Sequence, residues 1–191
     1  MRYEAPETKE EAVSLLSMAD GSGRVLAGGT DLLVQLRSGM IDPDVVVDIK
    51  QIAETREIVV ENGAFRVGAA VTGAELDEHD ALKKAWPGVV EAVELIGSTQ
   101  IQGRASMGGN LCNASPAADS VPALIAAGAQ CHIAGLDGER TLPVEQFCTG
   151  PGVTNLKTGE FLVSLRCLPG NHVRAMRIFG LSPEQKWTSL L

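Results

Sequence analysis

The stretch "SMGGNLCNASPAADSVPAL", Ser106 to Leu124, places two adjacent glycines, two asparagines and a cysteine immediately before an apolar run of helical character. Glycines in that position let a ligand or another backbone approach where a Cβ would collide. A second pair, Gly28-Gly29, lies between "RVLA" (Arg24 to Ala27), read as a short buried strand, and "LLVQLRSG" (Leu32 to Gly39), read as a helix stopped by glycine. At such a strand-to-helix turn the amides of the turn and the free N–H groups of the first helical residues can converge on one anion, although a tight connection between elements would use the same glycines. Two loops of this kind fit a diphosphate held between two subdomains.

The remaining elements follow from periodicity and caps. Thr8-Lys9-Glu10-Glu11 has capping-box spacing ahead of apolar residues at 12, 13, 15, 16 and 19, so a helix should run to about Asp20-Gly21. "DVVVDI" (Asp44 to Ile49) reads as a second strand, giving a small parallel unit over residues 1–55. Asn62-Gly63 between two alternating apolar runs signals a type I′ hairpin, and antiparallel pairing should dominate beyond it. Helices are expected at Ala74 to His79, Gly88 to Leu95 and after Pro122, with strands at "CHIAG" and "FLVSLRCL" and a turn at Asp137-Gly138.

Composition narrows the chemistry. The chain has 191 residues, 45% hydrophobic, with 21 glycines and a net charge of −8. That is enough apolar content for one globular unit or two small subdomains sharing a core, and it lacks the basic footprint of nucleic-acid binding. No window approaches the length of a membrane span, and the N-terminus has no signal-peptide core, so a cytoplasmic chain is expected. Cys112, Cys131, Cys148 and Cys167 show no C-x-x-C spacing, and the three histidines do not cluster; structural thiols and no metal site are the expectation. "GSGRVL" lacks the third glycine of a dinucleotide fingerprint and precedes its strand, and "NLKTGE" has no glycine where a phosphate-binding Lys-Thr loop needs one.

The motifs "VLAGGTDLL", "IGSTQIQGRASMGGNLCNASPAADSVPALIAAGA" and "TGPGVTNLKTGE" together resemble the FAD-binding (medium) subunit of molybdenum hydroxylases, the group of the carbon monoxide dehydrogenase medium subunit and xanthine dehydrogenase, over roughly residues 1–170. The resemblance implies an α+β fold of the vanillyl-alcohol-oxidase or PCMH type. In it a small parallel α/β subdomain (1–55) and a larger, mainly antiparallel α/β subdomain (56–170) hold FAD between them. By the family pattern, Leu26, Ala27, Gly28, Gly29, Thr30, Asp31 and Leu32 form one side of the pyrophosphate site, and Ser106, Met107, Gly108, Gly109 and Asn110 the other. Asp31 is assigned a capping or amide-accepting role, because a carboxylate against a diphosphate would be repelled. Asp119 matches a position on the ribityl side of the flavin, and a helix cap would look the same. Leu162 matches a position packing on the cofactor, as a core leucine would. No histidine stands in either loop for a covalent flavin link.

The implied role is electron transfer. Partner subunits, a molybdopterin-binding large subunit and a small subunit with 2Fe-2S clusters, would feed electrons through FAD to an acceptor such as NAD or oxygen; this chain has no cysteine pattern for the clusters. A module of the same fold that assembles but no longer holds FAD is the alternative, and a lone flavin enzyme is a third reading, opposed by the lack of an acid or base near the loops. Residues 171–191 do not follow the family continuation. Read one base out of frame, Glu184 to Leu191 can give Ala-Glu-Met-Asp-Ile-Ala-Val in family order, so the tail is expected to be a frameshifted start of a missing C-terminal domain, a matter for the coding DNA. The competing reading is a naturally shortened chain whose tail binds a partner, against which Pro183 stands.

Overall fold

The computed structural model describes residues 1–168; the tail discussed above lies outside the described residues. Three parallel strands form the first sheet: β1 (Arg2–Glu4), β2 (Gly23–Leu26) and β3 (Val45–Asp48), in the order β1-β3-β2. Helix α1 (Lys9–Met18) connects β1 to β2 and α2 (Leu32–Arg37) connects β2 to β3. The run "VVV" is buried on every residue of β3, as suits a central parallel strand covered on both faces. β1 is not evident in the sequence: three residues are too few for an alternation to register, and only pairing with Val45–Val47 makes them a strand.

The second sheet is antiparallel, in the order β4-β5-β10-β6-β7, from β4 (Ile58–Glu61), β5 (Ala64–Gly68), β6 (Gln130–Gly135), β7 (Gly138–Pro143) and β10 (Phe161–Cys167). Asn62 and Gly63 have φ of 51° and 77°, the pair of positive values that the β4-β5 hairpin requires. Helices α3 (Gly73–Asp77), α4 (Asp80–Ala85), α5 (Pro87–Glu94), α6 (Met107–Cys112) and α7 (Ser120–Ala126) lie between β5 and β6, and a two-stranded ribbon, β8 (Cys148–Gly150) with β9 (Val153–Thr154), precedes β10. One continuous apolar core joins both sheets, from Val45 and Ile49 to Phe147, Phe161 and Leu165. Helix α1 is shared, touching β2 and β3 of one sheet and β6 of the other.

Local capping departs from the expected pattern in instructive ways. Thr8 caps α1 by accepting from the Glu11 amide, but the Glu11 carboxylate reaches the Glu7 amide instead of closing a capping box on Thr8. A full box forms at Thr72 and Glu75, at the start of α3. The expected helix to His79 stops at Asp77, and His79 Nδ1 instead accepts from the Leu82 amide to begin α4. Ser106–Asn110, read as a loop, is the N-cap and first turn of α6.

Candidate functional site

Between the two sheets lies a cleft of about 850 Å³, within the roughly 300–1,000 Å³ usual for small-molecule sites. Ala27, Gly28, Gly29, Thr30, Asp31 and Leu32 line one side; Ser106, Gly108, Gly109 and Asn110 line the other; Leu162 of β10 lies along it as well. The first side sits at the C-terminal end of the parallel sheet, where open α/β sheets place their ligands. Among the described residues, the backbone N–H groups of Gly28, Gly29, Thr30, Asp31 and Leu32 donate to no protein acceptor. Five successive unused donors beside a cleft are a set that could hold an anion, since backbone amides unsatisfied by protein need another acceptor.

Three residues named from the family pattern stand outside the lining. Leu26 packs beneath the turn: its Cδ1 lies 2.8 Å from the place of a Cβ on Gly29, whose own φ is +78°. Met107 is buried in the core at 1% exposure. Asp119 is exposed and occupies the N-cap position of α7 with helical backbone angles and no side-chain capping bond. Ser120 is instead held by Asn110, whose Oδ1 accepts from the Ser120 amide at 3.3 Å and its hydroxyl at 2.7 Å, tying α6 to α7. Asp31 likewise makes no capping bond; its carboxylate accepts from the Gln35 side-chain amide.

The four glycines have different duties. A Cβ on Gly28 would stand 1.9 Å from the Arg104 carbonyl oxygen, and one on Gly108 would stand 2.5 Å from that of Ala69. Both bare α-carbons are therefore used against protein backbone, Gly28 in bringing its loop against the segment that leads into α6. A Cβ on Gly109 would meet only Ser106 Oγ, at 2.9 Å. That hydroxyl caps α6 by accepting from the Gly109 amide at 3.0 Å and retains its own proton to donate.

The far wall, Leu156 to Phe161, falls largely on the "NLKTGE" stretch, whose residues carry no individual signal in the sequence. It brings Lys157, which with Arg24 supplies the cations of the lining among the described residues. Its shape is held by Glu160, 9% exposed at the side chain, which accepts from Arg140 Nε at 2.8 Å and Nη2 at 2.7 Å and from the Lys157 amide at 2.7 Å. The Arg140 guanidinium and, beyond it, the Lys157 amide outweigh burial and hold the Glu160 carboxyl below its ordinary value. The contribution of this pair is thus full above the unfolded carboxyl pKa of about 4.3 and is lost as pH falls through the lower folded value. Glu160→Gln should cost about 2 kcal/mol at neutral pH and flatten the acid limb of the stability curve, as urea unfolding at several pH values will read.

Cys112 also lines the cleft, but burial pushes its thiol up to about 12, and that of Cys167 likewise, so neither is a thiolate at neutral pH. All four cysteines are free. Among the described residues, no group of three or more His, Cys, Asp or Glu could hold a metal ion, and no helix is long and apolar enough to cross a membrane.

Residues 1–169 match the family described as the FAD binding domain in molybdopterin dehydrogenase. The chain belongs to that family. It is 34% identical over 168 residues to the xanthine dehydrogenase FAD-binding subunit of Escherichia coli O157:H7, covering 87% of this chain and 57% of that one. It is 31% identical over 164 residues to the carbon monoxide dehydrogenase medium chain of Hydrogenophaga pseudoflava, covering 86% and 57%. The solved carbon monoxide dehydrogenase of H. pseudoflava contains a chain of the same fold, with TM-score 0.84 and 30% identity over 87% of this chain and 58% of that one. The chain therefore spans a little under three fifths of the length of these relatives, which are subunits of oxidoreductases. FAD is the cofactor of this FAD-binding domain, and the cleft fits it: unused amides for a diphosphate, cations in the lining, and room between two halves.

Proposed function

We propose that this chain is the FAD-binding region of an electron-transfer subunit in a molybdopterin-dependent hydroxylase or dehydrogenase, a cytoplasmic complex. The observation that carries the reading is the run of five amides from Gly28 to Leu32, without an acceptor among the described residues, in a segment that lines a cleft in a protein of net charge −8. An acidic chain that binds a dianionic linker must supply donors locally, and backbone amides do so without a mobile counter-charge. Ser106 adds its hydroxyl proton and Lys157 its ammonium from the opposite walls. Bound flavin supplies the redox chemistry, accepting electrons from partner iron-sulfur clusters and passing them to an acceptor such as NAD or oxygen.

This chain's part is to bind, orient and shield. The carboxylates in the lining, Asp31 and Glu160, are engaged by Gln35 and Arg140, and no histidine lines the cleft among the described residues. That set suits a relay better than proton abstraction from an organic substrate. The molybdopterin centre and the 2Fe-2S clusters belong to the proposed large and small partner subunits.

Titration of FAD into the purified chain, followed by flavin fluorescence, tests the reading. Saturable one-to-one binding is expected, weakened at least about tenfold in Gly109→Val, whose side chain intrudes on the cleft. No saturation by FAD at millimolar concentration would exclude a flavin-binding role for this chain.

A further inference from the structure

A polar chain crosses the small sheet at the end where the amide cradle sits. Tyr3 of β1 donates its hydroxyl to Asp48 Oδ2 at 2.6 Å. Asp48 ends β3, is 6% exposed, and accepts from Lys50 Nζ at 2.7 and 2.8 Å and from the Lys50 amide at 3.0 Å. The same ammonium donates to the Ala27 carbonyl oxygen at 3.0 Å. Ala27 directly follows β2, so the chain of contacts visits all three strands and finishes on the peptide that opens the cradle.

The geometry points to Lys50 as a positioning residue for the diphosphate cradle, anchoring the Ala27–Gly28 peptide through its carbonyl so that the Gly28 amide is presented to the ligand. In a trans peptide the C=O and N–H point in opposite directions. Holding the Ala27 oxygen on Lys50 therefore turns the Gly28 N–H away from Lys50, which is not among the residues lining the cleft. The bare Gly28 α-carbon against Arg104 closes the other degree of freedom. Asp48 serves twice: it keeps the lysine extended across to Ala27, and its buried charge is neutralised before an anion arrives. Burial by itself would raise the Asp48 carboxyl, but the bonds from Lys50 and Tyr3 together hold it below its ordinary value, so it remains an ionised partner.

The inference rests on the FAD reading above. It is tested by measuring FAD affinity and urea stability of the full chain and its Lys50→Met, Lys50→Arg and Tyr3→Phe variants. Lys50→Met should weaken FAD about tenfold, the effect of one charge-assisted hydrogen bond to the loop, and Lys50→Arg should restore most of it. Tyr3→Phe removes a bond to Asp48 but leaves Lys50 on Ala27, so it should lower stability while leaving affinity within about twofold. Affinity unchanged in Lys50→Met, or lost equally in Lys50→Met and Tyr3→Phe, would overturn the positioning role, the second pattern showing a purely structural tie. A parent chain that does not bind FAD would instead overturn the flavin reading and the inference with it.

Discussion

Gly28→Ala is expected to cost FAD binding outright and to destabilise the fold at or beyond the upper end of the about 1–3 kcal/mol typical of overpacking. The added Cβ would stand 1.9 Å from the Arg104 carbonyl oxygen and 2.7 Å from its carbon, with the Ala105 α-carbon at 3.3 Å. These are backbone atoms, so no side-chain rotation relieves the clash; the loop must leave the segment that leads into α6. Because Ala105 also accepts from the Gly73 amide at 2.9 Å, and Arg104 and Ala105 both bond to Ile101, the segment cannot retreat cheaply. Gly88→Ala is the control: beyond its own helix backbone and chain neighbours, no atom of the described residues lies within 4 Å of its would-be Cβ in α5. Urea unfolding of both variants, with FAD titration alongside, checks the expectation. A Gly28→Ala chain of parental stability and FAD affinity would show that the two loops do not need contact to form the cradle.

Phe161→Ala should lower stability by about 3–5 kcal/mol, a large share of what a domain of this size has. Phe161 is fully buried at the start of β10, the central strand that pairs with both β5 and β6, and it also borders the cleft. Truncation removes aromatic surface from the core shared by the two sheets and leaves a void that can connect with the cleft. Phe161→Leu keeps most of the volume and should recover more than half of the loss. Denaturant midpoints at constant m-value measure it. Added FAD should raise the midpoint of the leucine variant by linkage, since a ligand that binds only the folded chain stabilises it in proportion to the logarithm of its concentration above Kd.

Local signals in the chain reached a good part of this architecture. Asn62-Gly63 specified its hairpin because only residues tolerating positive φ fit both central positions. Pro87 begins α5, its fixed φ and missing N–H suiting a first helical turn. Other elements were illegible for identifiable reasons. β1 exists through three pairings with β3, with no pattern of its own. Helix α4 depends on His79 accepting from an amide, a role that histidine composition does not announce. In α6 the glycines of "SMGGN" read as loop, yet Ser106 caps them into a helix and the close approach of Ala69 to Gly108 rewards that packing.

By itself, the sequence carried the family, and with it FAD, and marked the two glycine segments that border the cleft. In an acidic chain without a basic patch, any bound anion has to be held locally, and the chain that carries the glycine pairs at 28–29 and 108–109 matches the flavin-binding family. Only the tertiary structure decided what each residue does. Gly28 and Gly108 face protein backbone, Asn110 clamps Ser120 and Asp119 stands outside the cleft lining, while Lys50 donates to the Ala27 carbonyl and Glu160 ties the opposite wall to Arg140. The physical reason is range. A residue's backbone preference is local and survives in the sequence, whereas a close approach or an ion pair between residues 20 to 80 positions apart exists only once the sheets have brought the segments together.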